Sequence, residues 1–395
     1  MPVVSMKSAT HVCAALTLAY MMRGASFAKS WFEVPLLDDD PGPLPALSVI
    51  VPARDEERSI EACVRSLCAQ RFVTCEVIVV DDRSRDATPL ILERLAAEFE
   101  NLRVVRGSDL PPGWIGKPWA LEQGARHANG EWLLFTDADS VHAPAGVASG
   151  LHFTRGRGAD ALSIVTGQEL ATFWERAVLP SILGMLLLAS GTLDDLNDPL
   201  KPDRALANGQ YILVRRAAYE ALGGHRALGG EIVEDVAFAR RLKADGRFRL
   251  LFADGHRLAR VRMYHSFHEI WQGFTKNVYA GADGRLEALF GGLATVALTS
   301  ILPPLLALRH ARRRQPLLAA EALACTVATI SASSWAYRLV GFSARLALLQ
   351  PLGTAVFGAI ILNSTWRVRS GRGVDWRGRT YSGRKSTRPR LIGGE

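Results

Sequence analysis

The stretch Glu131-Trp-Leu-Leu-Phe-Thr-Asp-Ala-Asp139 decides how the rest of the chain is read. Trp132 to Thr136 is a short, mostly apolar run behind the turn-forming pair Asn129-Gly130, the pattern of a buried strand entered from a turn. The run ends on two carboxylates, Asp137 and Asp139, one residue apart. Ionised carboxylates at a strand tip are costly to desolvate unless partnered, and a hard divalent cation with oxygen ligands is the natural partner. The competing reading is a helix N-cap at Asp139, ahead of His142-Ala-Pro144. A D-x-D pattern is too short to separate the two by itself.

Upstream, strand and helix patterns alternate. Leu47 to Val51 is an apolar, β-branched run closed by Pro52, and Ile60, Val64 and Leu67 give Glu56 to Cys68 the period of a helix. Glu76 to Asp82 is a second buried strand that again ends in paired acids, one of which caps the following turn. Asp86 to Glu98 is helical, with Pro89 in its first turn. Leu102 to Val105 is a third strand, and Lys117 to Ala128 a further helix. This succession predicts an α/β domain: a mostly parallel sheet with helices on both faces. Ligands of such sheets bind beyond the carboxyl ends of the strands. Pro52 to Glu57, Asp81-Asp82 and Asp137-Ala-Asp139 are therefore expected on one rim.

With 395 residues, 48% of them hydrophobic, the chain can bury a full core with residues to spare. The formal net charge of +8 is unevenly spread. Arg309, Arg312, Arg313 and Arg314 cluster, and Arg367 to Arg390 is rich in Arg, Gly and Ser. Lying beside apolar segments, these clusters point to anionic lipid, and no zinc-finger, helix-turn-helix or RNA-binding pattern supports a nucleic-acid partner. Cys13, Cys63, Cys68, Cys75 and Cys325 lack disulfide or metal-site spacing and read as packing residues in a reducing compartment.

Four motifs in order carry a resemblance. Ser48 to Glu57, Val79-Val-Asp-Asp-Arg-Ser-Arg-Asp86, Gly116-Lys-Pro-Trp-Ala120 and Thr136-Asp-Ala-Asp139 resemble the successive signatures of family 2 glycosyltransferases, over roughly Leu47 to Asn277. The resemblance implies a GT-A fold, a nucleotide-diphosphate sugar donor, a Mg²⁺ or Mn²⁺ ion and inversion at the anomeric carbon. It places Pro52, Arg54, Glu56 and Asp82 around the nucleoside and Lys117 on the diphosphate. Asp137 and Asp139 would hold the metal, with Asp137 also beside the donor. Asn208, Gly209 and Trp271 would lie on the acceptor side, and Asp235, supported by Glu234, would be the catalytic base. Acids in the first turn of a helix also favour its positive end whatever their function. Where the family often has Gly-Ser after the paired acids, this chain has Arg83-Ser84.

The segment Tyr264 to Asn277 resembles the membrane-facing segment of hopanoid- and carotenoid-associated members, which implies a lipid hydroxyl acceptor of isoprenoid type. A processive polysaccharide synthase is the alternative enzyme, but Gln-x-x-Arg-Trp is missing and only Trp271-Gln-Gly-Phe stands in its place. A non-catalytic sugar-nucleotide-binding scaffold is the alternative outside enzymes; Asp137, Asp139 and Asp235 together argue against it.

The expected organisation is a weak anchor or interfacial helix and linker (1–46), the GT-A domain (47–285), membrane helices (286–366) and a basic, disordered tail (367–395). Phe173 to Gly191, broken by Pro180 and Gly184, is expected to lie at the interface. Ala288 to Leu308, Leu317 to Tyr337 and Leu346 to Trp366 each have the ~20 residues a crossing needs. With the GT-A domain on the cytoplasmic side of the inner membrane, the tendency of basic loops to stay inside predicts that only the last two cross, with three full spans the close alternative because the loop is short and Pro is tolerated in spans. The last two would form a hairpin whose Arg338–Arg345 loop lies outside, with Ala288 to Leu308 interfacial at its Pro303-Pro304 break.

Overall fold

The computed structural model describes residues 6–281, 286–372, 374–376 and 379–381. Ten strands shape its α/β domain: β1 (Leu47–Ala53), β2 (Cys75–Asp81), β3 (Leu102–Arg106), β4 (Trp132–Phe135), β5 (Ser140–His142), β6 (Ala161–Val165), β7 (Gly167–Gln168), β8 (Ile212–Arg215), β9 (Leu250–Asp254) and β10 (Ala259–Val261). The main sheet has the order β3-β2-β1-β4-β8-β6-β9, and β5, β10 and β7 form a smaller one. Alternation along each strand feeds two cores. Val49, Val51, Val77 and Val79 pack with Ile60, Val64 and Leu92 on one face. Ile50, Ile78 and Val80 pack with Ala120, Leu121 and Ala125 on the other. Helices cover both faces, which is why the central strands read as nearly continuous apolar runs.

The expected parallel pairing holds except at β8, which runs antiparallel to both β4 and β6. That reversal matters to function. Because Ile212 pairs with Phe135, the entry to β8 at Asn208–Gln210 lies beside the carboxyl end of β4, at Asp137. The carboxyl ends of β2, β1 and β4 are neighbours in the sheet, so the three acidic segments do share a rim.

The apolar helices depart from expectation in three ways. First, Phe173–Ser190 is unbroken. A capping box at Thr172 and Glu175 satisfies its first turn, and Ala177, Val178 and Ile182 pack with Phe357 and Ile360, which holds the helix through Pro180. Second, Leu289–Arg312 is continuous and long and apolar enough to cross a membrane. A π-helical turn at Ala297–Ile301 precedes Pro303-Pro304 and absorbs the change of register that their missing N–H groups impose. Third, the hairpin is formed by Leu289–Arg312 and Pro316–Leu339, joined at the Arg cluster: Leu306 packs on Ala322 there, and Thr329 Oγ1 donates to Thr299 O. The expected outer loop instead rests against the α/β domain. Gly341, at φ +80°, lies so close to His256 that a Cβ would come within 2.7 Å of its ring, and Tyr337 and Ser181 hydroxyls are 3.1 Å apart.

The N-terminal helix, Met6–Ser30, is longer than the apolar core of Ala9 to Met22 indicates. Cys13 packs on Leu306 and Ala322, and past the helix Val34 N donates to Asp254 O at the sheet edge. At the other end, the last long helix runs on to Arg369, and Val374–Trp376 pairs with Arg379–Tyr381. The rest of the basic tail, 382–395, lies outside the described residues.

Candidate active site

Beyond the carboxyl ends of β1, β2 and β4 is a cleft of about 300 Å³. Pro52, Arg54, Glu56, Asp82, Lys117, Asp137, Asp139, Asn208, Gly209, Glu234 and Asp235 all line it. Trp271 does not. It sits on helix Phe267–Gly281, its ring 5.9 Å from that of Phe267, among the apolar side chains facing Phe173–Ser190.

Arg54 and Asp82 meet at one end. Arg54 Nη1 donates to the Asp82 carbonyl at 2.9 Å and lies 3.4 Å from its carboxylate. Asp81 is the turn cap of the pair, accepting from Ser84 N at 3.0 Å, which leaves the buried Asp82 to the cleft. Arg83, in the place of the family's Gly, takes φ +58° and turns its guanidinium to Asp109. A left-handed backbone at a non-Gly residue costs on the order of 1 kcal/mol, and it explains why Gly suits this position.

At the centre stands Lys117, in the first turn of Gly116–His127. Its Nζ is 2.7 Å from Asp137 Oδ1 and 2.8 Å from Glu234 Oε1. Burial alone would lower its pKa, but the flanking Asp137, Glu234 and Asp235 carboxylates outweigh it and hold the ammonium well above its ordinary value. Glu234 is buried, which opposes ionisation, yet its pKa is lowered because Lys117 sits on it.

Asp235 is different. Its Oδ2 accepts from Gly209 N at 2.9 Å and its Oδ1 from Val236 N at 2.8 Å. Burial, then the negative charge of Glu234, pushes its pKa up to about 6, against the opposing pull of Lys117 and the two N–H donors. Two adjacent acids at one helix N-terminus thus differ in proton affinity, Glu234 lowered by its ion pair with Lys117 and Asp235 raised by burial and by Glu234.

The Asn208–Gln210 turn is fixed from beneath. Asn208 N donates to Ser163 Oγ at 2.8 Å, and Thr136 Oγ1 donates to Gln210 O at 2.7 Å. A Cβ on Gly209 would come 2.7 Å from Lys117 Nζ and 3.4 Å from Asp235 Oδ2. Gly209→Ala is therefore expected to leave the fold intact while displacing the Lys117 ammonium, cutting turnover by about 10-fold or more, since misplacement by an ångström can cost that much. An unchanged rate in a folded variant, checked by thermal melting, would refute this.

Helix Phe267–Gly281 adds cleft residues that sequence reasoning did not single out. Lys276 and Asn277 line the cleft, while Ile270 and Phe274 on the same helix are buried against Phe357 and Ile360. Burial lowers the Lys276 pKa to about 8. The signal was available in the sequence: adjacent polar residues on a helix with an apolar stripe at Ile270 and Phe274.

Asp137 and Asp139 offer only carboxylate oxygens, the donor type of Mg²⁺ or Mn²⁺, and Asp137 already attracts one cationic group. The pair fits such an ion. Among the described residues, three potential ligands also converge at Glu33, Asp254 and His256, away from the cleft. There His256 Nδ1 lies 3.0 Å from Asp254 Oδ1, and Trp31 Nε1 donates to Asp254 Oδ2 at 2.9 Å.

Fold and cleft together describe a glycosyltransferase domain of GT-A type. Residues 48–222 match the family model "Glycosyl transferase family 2", which identifies that segment as a family 2 glycosyltransferase domain. The 4,4'-diaponeurosporenoate glycosyltransferase of Staphylococcus aureus strain USA300 is 29% identical over 354 residues, covering 85% of this chain and 88% of that protein. Its counterpart in strain MRSA252 is 27% identical over 349 residues, with the same coverage. Among solved structures, the mannosyltransferase PcManGT from Pyrobaculum calidifontis, in complex with GDP-Man and Mn²⁺, is similar with a TM-score of 0.54 and 21% identity. The match covers 92% of this chain and 98% of that one, and it speaks to the fold.

Proposed function

We propose that this glycosyltransferase moves a sugar from a nucleotide-diphosphate donor to an isoprenoid-type lipid at the membrane surface, with inversion. One observation carries the reading: helix Phe267–Gly281 lends Lys276 and Asn277 to the cleft and Ile270 and Phe274 to the apolar helices. A single helix thus separates the reacting centre from the lipid-facing part of the molecule. The name of the Staphylococcus aureus relatives, which is that of a carotenoid acid's glycosyltransferase, supports a lipid of this class.

In this reading Pro52, Arg54, Glu56 and Asp82 hold the nucleoside, Asp82 accepting from a base imide as a carboxylate does. Lys117 faces the diphosphate, kept charged by Asp137 and Glu234. Asp137 and Asp139 would hold Mg²⁺ or Mn²⁺, which supplies Lewis-acid neutralisation of the charge growing on the departing diphosphate. Asn208 and Gly209 border the acceptor, and the Gly209 N–H fixes the Asp235 carboxylate that takes the acceptor hydroxyl's proton. As that proton moves to Asp235, the acceptor oxygen bonds the anomeric carbon from the face opposite the diphosphate, and the carbon–phosphate oxygen bond breaks. The α/β domain faces the cytoplasm, where nucleotide sugars are made, and the apolar helices hold it on the inner membrane.

The test is transfer of radiolabelled sugar by purified protein across a panel of nucleotide sugars and polyprenyl or carotenoid alcohols. Label is expected in the organic extract, on a product of inverted configuration. Label confined to water-soluble oligosaccharide would overturn the lipid acceptor.

A further inference from the structure

The helix hairpin Leu289–Arg312 and Pro316–Leu339 packs with Met6–Ser30 into a three-helix spike. Its ends are unlike. At the base, Arg23 Nε of the N-terminal helix donates to Leu188 O of Phe173–Ser190, Tyr337 meets Ser181, and Gly341 rests on His256 of the α/β domain. At the tip, Thr10 Oγ1 lies 3.0 Å from His310 Nε2, His310 Nδ1 2.6 Å from Gln315 Oε1, and His11 Nδ1 2.7 Å from Glu321 Oε1. The turn beyond this polar network carries Arg312, Arg313 and Arg314, all exposed.

Between the two ends the outward faces are apolar. Leu16, Leu18, Met21 and Met22 of one helix and Leu305, Leu308, Leu323 and Val327 of the others are exposed. At 24 residues each, the hairpin helices are about 36 Å long at 1.5 Å per residue, enough for a hydrocarbon core of roughly 30 Å. Phe173–Ser190 and Ala344–Arg369 are also long and apolar enough to cross, but their packing keeps them along the domain. Asp195 N and Leu193 N, just past the former, bond Thr192 and Ser30 at the base, while Ser364 of the latter donates to Thr275 O of the cleft helix at 2.6 Å.

Resting on the membrane-bound reading above, we infer that the spike alone crosses the bilayer, delivering the Arg309–Arg314 turn and the first turn of Met6–Ser30 to the opposite leaflet. Phe173–Ser190 and Ala344–Arg369 then lie in the near interface under the cleft. Arg23, Lys29, Arg338, Arg345, Arg367 and Arg369 lie toward the base, against Lys7, Arg309, Arg312, Arg313 and Arg314 at the tip, so basic charge is nearly balanced and the crossing rests on helix length and packing instead. The tip guanidiniums are left to pair with lipid phosphates of the far leaflet.

Thiol labelling separates the possibilities. Arg313→Cys and Asp39→Cys change exposed side chains, one at the tip and one on the domain, and the wild type with its native cysteines gives the background. In intact spheroplasts, a membrane-impermeant maleimide is expected to label Arg313→Cys above background as fully before permeabilisation as after it. Asp39→Cys should label only after permeabilisation. Arg312→Cys repeats the tip measurement should the first variant fail to accumulate. Tip labelling that requires permeabilisation overturns the crossing. Recovery of the wild type in the soluble fraction after cell breakage overturns the membrane-bound reading itself, a distinct result.

Discussion

Asp139→Asn is expected to abolish sugar transfer while the protein still folds and binds membranes. Asparagine keeps the size of the side chain and one oxygen but removes the charge, and a hard divalent cation depends on that charge for most of its affinity. Asp139 lines the cleft with Asp137, whose Oδ1 lies 2.7 Å from Lys117 Nζ, so a cation held there would meet both carboxylates. Loss of activity on adding excess chelator, and its return with Mg²⁺ or Mn²⁺, is the companion expectation. The readout that stands apart from turnover is metal-dependent donor binding, followed by calorimetry: the wild type should gain donor affinity when Mn²⁺ is added and Asp139→Asn should not. Full activity in chelator, or near-wild-type turnover by Asp139→Asn, would remove the metal role from this pair.

How far the sequence reaches depends on whether a feature is local. β1 to β4 and the intervening helices are legible because each strand is an apolar run bounded by turn residues, and each helix shows its stripe. The rim is legible too, since parallel strands with helical crossovers place their carboxyl ends side by side. The reversal of β8 is not, because strand direction is set by which partner receives the pairing, here Phe135 with Ile212, and no residue type encodes it. The state of the two acids also escapes sequence. Glu234 and Asp235 are neighbours of similar chemistry, and only the fold puts Lys117 on the first and the Gly209 N–H on the second. The continuity of Leu289–Arg312 is not legible either: Pro303-Pro304 reads as a break, while the π-helical turn before it lets the helix continue. Trp271 was assigned to the acceptor side by its motif, but the helix turns it toward Phe267 and turns Lys276 to the cleft.

Asp235→Asn is expected to lower kcat by at least about 10²-fold with a hydroxyl acceptor, the lower bound for removing a general base, with donor affinity little changed. The amide can still accept from the Gly209 and Val236 N–H groups through only one oxygen, so some loosening of the Asn208–Gln210 turn is expected, but not loss of the fold. The pH profile supplies the sharper evidence. Burial and the Glu234 charge raise the Asp235 pKa to about 6, so the group keeps its proton at pH values where an ordinary carboxylate, near 4, has lost it. A base must be ionised to act, so kcat/KM should fall as pH drops through about 6 and level off above it. In Asp235→Asn that acid limb should vanish from the residual rate. Glu234→Gln removes the neighbouring charge and should move the limb to lower pH, even as release of Lys117 from its partner lowers the plateau. The acceptor's chemistry enters the same experiment. A carboxylic acid acceptor is already ionised at neutral pH and has no proton to surrender, so its transfer should be far less sensitive to Asp235→Asn than transfer to an alcohol. If the variant loses donor binding in proportion to rate, or if the acid limb survives the substitution, the proton is taken elsewhere and Asp235 serves to position the turn.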